Sequence, residues 1–197
     1  MKKRIPNKQR SEATTNLLIN VGQKLFRTHG YSGISQEEIV KKAGMTRGAL
    51  YHHFDGKKGL FKAVFEDSIL KIAYRVKMAE KRTAQSWDNF ISCTYEFCVA
   101  CLDSDLQRIV LIDGPVVLGW NVWRKIDERE TMGILNSHLK RLLEDEVIHP
   151  IPLEPLTHFI SGAVNESILW ISGTNDPRKA FEETWPSLKA ILSTLKK

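Results

Sequence analysis

The chain has 197 residues, a length that allows one domain or two. It is 42% hydrophobic and 26% charged, an ordinary globular composition that excludes disordered and collagen-like chains. No apolar run approaches the ~18 residues of a membrane span, and the basic start Lys2, Lys3 and Arg4 precedes polar residues rather than a signal-peptide core. We therefore expect a cytoplasmic protein. The sequence has three cysteines, and this odd number argues against a disulfide framework.

Positive charge is concentrated at one end of the chain. Residues 1–58 contain 12 Lys or Arg and 4 Asp or Glu, whereas the remaining residues contain 17 and 19. A basic segment joined to a near-neutral one is typical of a polyanion-binding head on a body with another task. A solvated lysine-rich surface explains the charge equally well, so charge alone leaves both interpretations open.

The first predicted helix carries apolar residues at helical spacing from Leu17 to Phe26 and ends at Gly30, which suits a C-terminal cap. Ser35 and Glu38 then form a capping box that opens a short helix.

Gly44 ends that short helix, and Thr46 is the N-cap candidate for the next one, which reaches about Phe54. Two short helices separated by a glycine turn predict a helix-turn-helix. We place this head in residues 1–56 and the body in residues 57–197.

The body is also predicted to be helical. A long helix is expected after Gly56, with apolar residues at helical spacing from Leu60, and it runs to about Met78; the next helix is capped by Ser86. The later helices are predicted over 106–112, where Asp113-Gly114-Pro115 ends the helix, from about 116 or 120 to 147, over 154–173 and over 177–195. Pro186 is expected to kink or divide the last helix. The fold class is therefore all-α, with about nine helices.

The second helix of a helix-turn-helix lies in the major groove, and its first residues face base edges. Arg47 is the best candidate for base readout, since its planar fork matches two acceptors of guanine. Tyr51, His52 and Lys57 suit phosphate contacts, which fix the register on DNA without reading sequence. The residues predicted to contact DNA are Ser35, Thr46, Arg47, Gly48, Ala49, Tyr51, His52 and Lys57.

A longer motif carries a family resemblance over about residues 11–60. Its parts are Gly30-Tyr31, Ile34-Ser35, Ile39, the run from Ala43 to Phe54 and Lys57. This pattern resembles the DNA-binding domain of the TetR family of bacterial transcriptional regulators. Val40 and Gly59 depart from the family pattern, where an alanine and an acidic residue are common, but neither faces the groove in this interpretation.

The resemblance implies more than the residues themselves do. Members of the family are all-α homodimers whose C-terminal domain binds a small molecule and thereby releases DNA. The segment 108–127 also looks like a recurring C-terminal subtype of the family. Repression released by a ligand is therefore the expected function, with DNA, a second copy of the chain and a small-molecule effector as partners.

Aromatic residues in the middle of the body favour either an effector pocket or plain core packing, and their spacing does not separate the two. Candidates for polar contacts are Asp113, His138, Asn165 and Glu166, but each also suits a capping or surface role, His138 most of all. The residues predicted to contact an effector are Phe90, Tyr95, Asp113, Trp120, Trp123 and Asn165.

Cys93, Cys98 and Cys101 have the spacing C-x4-C-x2-C, which imitates a ferredoxin cluster motif. A fourth cysteine is absent from the sequence, and on a helix the three side chains do not converge, so buried thiols are the expected role. The sequence contains no nucleophile elbow, zinc-protease pair or phosphate loop. We predict no metal site, no cofactor and no catalysis.

The last two predicted helices carry apolar stripes that suit a four-helix dimer interface. The stripe residues are Leu156, Phe159, Ile160, Ala163 and Ile168 in one helix and Phe181, Leu188, Ile191, Leu192 and Leu195 in the other. A two-fold dimer of this kind reads an inverted repeat. The alternative is a helical adaptor that keeps the head fold but binds protein, and it predicts no salt-sensitive DNA affinity.

Overall fold

A computed structural model describes residues 7–81 and 85–197, so the basic residues Lys2, Lys3 and Arg4 lie outside the described residues. Within these ranges the chain forms eleven α-helices and one π-helical segment, and no named strand. The head contains α1 (Asn7–His29), α2 (Gln36–Ala43) and α3 (Arg47–Phe54). The body contains α4 (Gly56–Ala79), α5 (Ser86–Leu102), α6 (Ser104–Gln107), the π segment (Arg108–Asp113), α7 (Gly114–Leu118), α8 (Trp120–Arg129), α9 (Thr131–Glu144), α10 (Leu153–Ser172) and α11 (Pro177–Ser193). The all-α prediction is confirmed.

The local signals that define the head are present in the structure. The Ser35 hydroxyl accepts a hydrogen bond from the Glu38 amide at 3.2 Å, and the Glu38 carboxylate accepts one from the Ser35 amide at 2.7 Å. Gly44 ends α2 in the left-handed region with φ of 64°, which a residue without Cβ adopts at little cost. Thr46 caps α3 by accepting from the Ala49 amide at 3.1 Å. The helix-turn-helix prediction is confirmed.

Helix α4 joins head and body because it packs against α1 and α3 on one side and α5 on the other. Phe61 of α4 meets the Phe26 ring edge to face, with 5.2 Å between ring centroids. Further along the same helix, Phe65 and Ile69 are buried in the cluster that continues into the body. One hydrophobic core therefore runs through both parts, which makes α4 the element that fixes the position of the head.

The segment around residue 114 differs from the prediction. Asp113-Gly114-Pro115 does not end the helical path, because the π segment runs directly into α7, with Pro115 in the first turn. A Cβ on Gly114 would lie 3.0 Å from both the Phe65 and Trp123 rings, so this glycine allows close packing instead of terminating a helix. The chain turns at Gly119, whose φ is 82°.

The single helix predicted up to Val147 is also wrong, since α8 and α9 are separate helices that meet at Glu130. The Thr131 hydroxyl at the start of α9 donates to the Asp127 carboxylate near the end of α8. Helix α11 is not divided, because it passes through Pro186. Of the helices described, none is long and apolar enough to cross a membrane.

Candidate nucleic-acid interface and body cavity

The first turn of α3 is exposed while its opposite face is buried. Thr46, Arg47 and Gly48 are exposed, whereas Leu50 is completely buried in the head core. The Arg47 guanidinium lies 3.2 Å from the Glu37 carboxylate of α2, and both side chains are more than half exposed. Exposed pairs contribute only ~0–1 kcal/mol, so little free energy opposes the transfer of Arg47 to another partner.

The other residues predicted on this face have different surroundings. Tyr51 is half exposed and His52 is exposed, while Ala49 is partly buried. Ser35 is exposed too, but its hydroxyl already exchanges hydrogen bonds with Glu38 in the capping box. Ser35, Tyr51 and His52 are therefore accessible from solvent, and their contacts to DNA stay a prediction.

Lys57 is held in place at the start of α4. Its ammonium lies 4.2 Å from the centroid of the Tyr31 ring, and its amide donates to the Gln36 side chain at 3.2 Å. Partial burial lowers the pKa of Lys57, and the nearby Glu38 carboxylate opposes that shift. Glu37 and Tyr31 contact the basic side chains, and Gln36 holds the backbone of Lys57. The periodicity of single helices did not predict these contacts.

The head is tied to the body where α1 ends, through a group of residues that we name the head–body contact: Gly30, Tyr31, Arg108 and Asp113. The Asp113 carboxylate accepts a hydrogen bond from the Tyr31 amide at 2.9 Å. Gly30 has φ of 72°, and the Arg108 guanidinium occupies the position that a Cβ on Gly30 would take. The π segment of the body thus supports the end of the helix that precedes the helix-turn-helix.

A cavity of about 50 Å³, the body cavity, lies among α5, α9 and α10. Most of its wall is apolar, with Phe90, Phe97, Ile134, Leu135 and Val164 among the residues that form it. The polar side chains in the wall are Thr94, Asp127, Thr131, His138 and Ser161.

Asp127 is the carboxylate in this wall, and it already has partners. One oxygen accepts from Thr131, and the other lies 3.1 Å from the Arg124 guanidinium. Burial raises the pKa of Asp127, although the hydrogen bond from Thr131 and the charge of Arg124 act in the opposite direction.

His138 and Ser161 have no such partners. Among the described residues, neither side chain takes part in a hydrogen bond, although His138 is only 9% exposed and Ser161 only 8%. Burial lowers the pKa of His138, so the imidazole is neutral at neutral pH.

The six residues predicted to contact an effector are not brought together. Of the six, Phe90 is in the wall of the body cavity. Trp123 is buried and donates its indole N–H to the Val110 carbonyl at 2.8 Å, with Trp120 stacked on it at the surface. Tyr95 packs edge to face against Trp185 of α11.

Asp113 belongs to the head–body contact, and Asn165 is partly exposed on α10. The partner of Asp113, the Tyr31 amide, is 82 residues away in the sequence, so helical spacing alone did not place this contact.

The three cysteines are free and buried on α5. Burial raises the pKa of Cys93 to about 11 and that of Cys98 to about 12, so both stay protonated near neutral pH. The described residues contain no group of three His, Cys, Asp or Glu side chains that could hold a metal ion. Buried thiols are the role that this environment supports.

The two stripes predicted as a dimer interface are split in the structure. Five of the ten residues are buried in the chain's own core: Leu156, Ile160, Ile168, Leu188 and Leu192. Phe159 is 74% exposed and Ile191 is 66% exposed, and neither is covered within the chain. We name the exposed face of α10 the outer stripe; it comprises Phe159, Gly162, Ala163, Glu166 and Trp170, at helical spacing.

Two family descriptions match this chain, one in the head and one in the body. The description "Bacterial regulatory proteins, tetR family" matches residues 18–64, and "Tetracyclin repressor-like, C-terminal domain" matches residues 87–195. The fold and these matches define a helix-turn-helix, DNA-binding transcriptional regulator. The chain belongs to the TetR family, whose members regulate transcription and are not enzymes.

Individual relatives agree with this assignment. A TetR-family transcriptional regulator from Pectobacterium atrosepticum has a TM-score of 0.81 and 26% identity, over 97% of this chain and 98% of that one. The transposon Tn10 TetC protein of Escherichia coli is 26% identical over 77% of this chain and 76% of its own length. The regulator AcrR of Shigella flexneri is 42% identical over 59 residues, which are 30% of this chain and 27% of AcrR.

Proposed function

We propose that the chain is a homodimeric repressor that binds an inverted-repeat operator through its head and is released by a small molecule bound in its body. The observation that carries this proposal is the exposed first turn of α3, where Arg47 pairs with Glu37 and both side chains remain more than half exposed to solvent. On DNA, Arg47 exchanges this carboxylate for the two acceptors of guanine, which its planar fork matches. Tyr51, His52 and Lys57 contact phosphates and fix the register.

The outer stripe of α10 supports a dimer. Gly162 has no atom within 4 Å of the position of a Cβ, and Ala163 beside it is exposed, so a second helix can approach the backbone closely there. Phe159 and Trp170 lie at the two ends of the stripe and supply large apolar surface for a helical bundle. In the dimer the two recognition helices bind half-sites about 34–36 Å apart.

The head–body contact supports release by an effector. A ligand releases DNA only by binding the DNA-free conformation more tightly, with a coupling of typically about 1–3 kcal/mol. Trp123 anchors α8 to the Val110 carbonyl, and the same π segment carries Arg108 and Asp113, which support the end of α1. A change in the body cavity therefore has a continuous set of contacts through which to shift the head.

The test is to select bound sequences from a random DNA pool with the full chain at ~0.1 M salt, where phosphate contacts still contribute strongly. We expect an inverted repeat to be enriched. Selection with the Phe159→Glu variant, which places a charge in the outer stripe, is expected to lose the second half-site. Asn121→Glu, which adds the same charge at an exposed position of α8, serves as the matched charge control.

Enrichment of no sequence, with weak retention that does not depend on salt, would favour the protein-binding adaptor instead. A Phe159→Glu variant that stays dimeric by sedimentation and selects the same repeat would contradict the proposed interface.

A further inference from the structure

The body cavity contains two polar side chains that the fold does not use. His138 of α9 and Ser161 of α10 are in its wall, are more than nine-tenths buried and have no hydrogen-bond partner among the described residues. Among the described residues, the buried side-chain atoms that lack a partner are Asp67 Oδ2 and Gln107 Nε2, and no atom of His138 or Ser161 is one of them. The polar atoms of His138 and Ser161 therefore keep accessible space beside them, and in a largely apolar cavity they are available to hydrogen-bond to a molecule that enters it.

The charges around the cavity restrict what that partner is. Asp127 is the carboxylate of the cavity wall. One of its oxygens accepts a hydrogen bond from Thr131, and the other accepts one from Arg124. A charged ligand would therefore lose its hydration without gaining a free counterion. A neutral imidazole offers one N–H donor and one nitrogen acceptor, and a serine hydroxyl both donates and accepts.

Building on the ligand-release function proposed above, we propose that the body cavity binds a small, neutral organic molecule whose hydroxyl or carbonyl group hydrogen-bonds to His138 and Ser161. Its apolar part lies against Phe90, Phe97 and Val164. The two polar residues select the ligand by its neutral oxygen group, and the apolar wall supplies most of the contact area.

The size of the cavity connects binding to movement. At about 50 Å³ it is smaller than the about 150 Å³ cavity that holds benzene. A ring-sized ligand therefore binds only a conformation in which α5, α9 and α10 are further apart, and this preference shifts the population towards that conformation. Asp127 on α8 is part of the same wall, and α8 is anchored to the π segment by Trp123, so the widening reaches the head–body contact.

The first experiment measures binding of four probes to the full chain without DNA by isothermal titration calorimetry: phenol, benzene, benzoate and benzylammonium. Phenol is expected to bind about fivefold more tightly than benzene, the value of one net hydrogen bond. Benzoate and benzylammonium are expected to bind at least tenfold more weakly than phenol. No binding of phenol at millimolar concentration, or equal binding of a charged probe, would overturn the proposal.

Two variants test whether His138 and Ser161 cause the preference for phenol over benzene. In His138→Leu and in Ser161→Ala, the preference for phenol over benzene is expected to fall towards one while benzene binding persists. Ser167→Ala is the matched control on α10, because the Ser167 hydroxyl donates to the Ala163 carbonyl at 2.7 Å and is not part of the cavity wall. A phenol preference that persists in the double variant His138→Leu, Ser161→Ala would overturn the assignment.

The melting temperature of the variants separates ligand recognition from a structural role. Since neither side chain has a partner to lose, Tm is expected to stay the same or to rise by about 2–4 °C. A fall of that size in the Ser161→Ala variant would show a structural role and overturn the proposal. Release of the operator is a separate measurement, made by fluorescence anisotropy. Selective phenol binding without release of the operator would contradict the proposed function. Release by a compound whose binding does not depend on His138 and Ser161 would contradict only this inference.

Discussion

The exposed first turn of α3 in the head and the cavity of the body both present polar groups, but under opposite conditions. Arg47 is exposed and weakly paired with Glu37, so its charge is accessible to a partner that approaches from solvent. The His138 and Ser161 side chains are mostly buried in the cavity wall and make no hydrogen bond among the described residues, so we expect them to be accessible to a small molecule rather than to a large partner. Exposed charge gives affinity for a polyanion at low desolvation cost, whereas buried neutral groups give selectivity for one ligand chemistry.

The largest expected effect concerns the aromatic group that holds the two regions together. Phe61→Ala removes a fully buried ring that packs edge to face on Phe26 and Tyr31. The free energy of unfolding in urea is expected to fall by about 3–5 kcal/mol. Lys62→Ala, at the exposed neighbouring position, is the control and is expected to change stability by less than about 0.5 kcal/mol. A similar small change for Phe61→Ala would mean that head and body are held together elsewhere.

Arg47 tests the exposed side of the comparison. Arg47→Ala is expected to weaken binding to the selected operator by about 1–3 kcal/mol and to relax the preference at one base pair. The measurement is fluorescence anisotropy on the operator and on the same duplex with that base pair exchanged. The Glu37→Gln variant removes the competing carboxylate and is expected to keep the preference; equal losses on every sequence in Arg47→Ala would refute base readout by this residue.

Lys57 sharpens the difference between base readout and phosphate binding. Lys57→Ala is expected to weaken binding to all sequences alike and to lower the slope of log affinity against log salt by about one unit, because one phosphate contact is lost. Titrations of operator and unrelated DNA at several salt concentrations measure this slope. Lys62→Ala, on the same helix, controls for a general loss of positive charge. A slope that stays unchanged would remove Lys57 from the interface.

The smallest expected effect is the pH dependence of stability that comes from His138 in the body cavity. Burial lowers the pKa of His138 below its ordinary value of 6.5, so the unfolded chain takes up its proton first as the pH falls. The part of the free energy of unfolding that depends on a neutral His138 is fully present above pH 6.5. It is lost as the pH falls through the folded-state pKa. Urea unfolding at several pH values between 7.5 and 5 is expected to show this loss in the wild type, and a weaker pH dependence in His138→Leu.

His158→Leu is the control for that measurement, since His158 is an exposed histidine of α10. An identical pH profile for wild type and His138→Leu would show that His138 titrates as it does in the unfolded chain.

The head could be predicted from sequence because its signals are local. Ser35 and Glu38 are three residues apart, and Gly44 and Thr46 act on the helices next to them, so short-range rules of capping and turn geometry define the helix-turn-helix. The exposed first turn of α3 follows from the same rules, since the burial of Leu50 fixes which side of the helix faces outward.

The body could be predicted only as a set of helices. Tyr31 and Asp113 are 82 residues apart in sequence, and His138 and Ser161 lie on different helices, so their proximity depends on how α-helices pack. Aromatic spacing led instead to Trp120 and Trp123, which stack on each other within α8. Gly114 similarly suggested a helix end, although its role is to admit the Phe65 and Trp123 rings.

The close fit between Gly30 and Arg108 has a consequence for exchanging parts between related chains. A head with any side chain at position 30 would meet the guanidinium of this body, and it would also be strained by the left-handed backbone there, at about 1–2 kcal/mol. Replacing Arg108 by a smaller residue removes the first obstacle but not the second. A chimera that combines this body with a foreign head therefore needs glycine at position 30, because the backbone strain remains whichever residue stands at position 108.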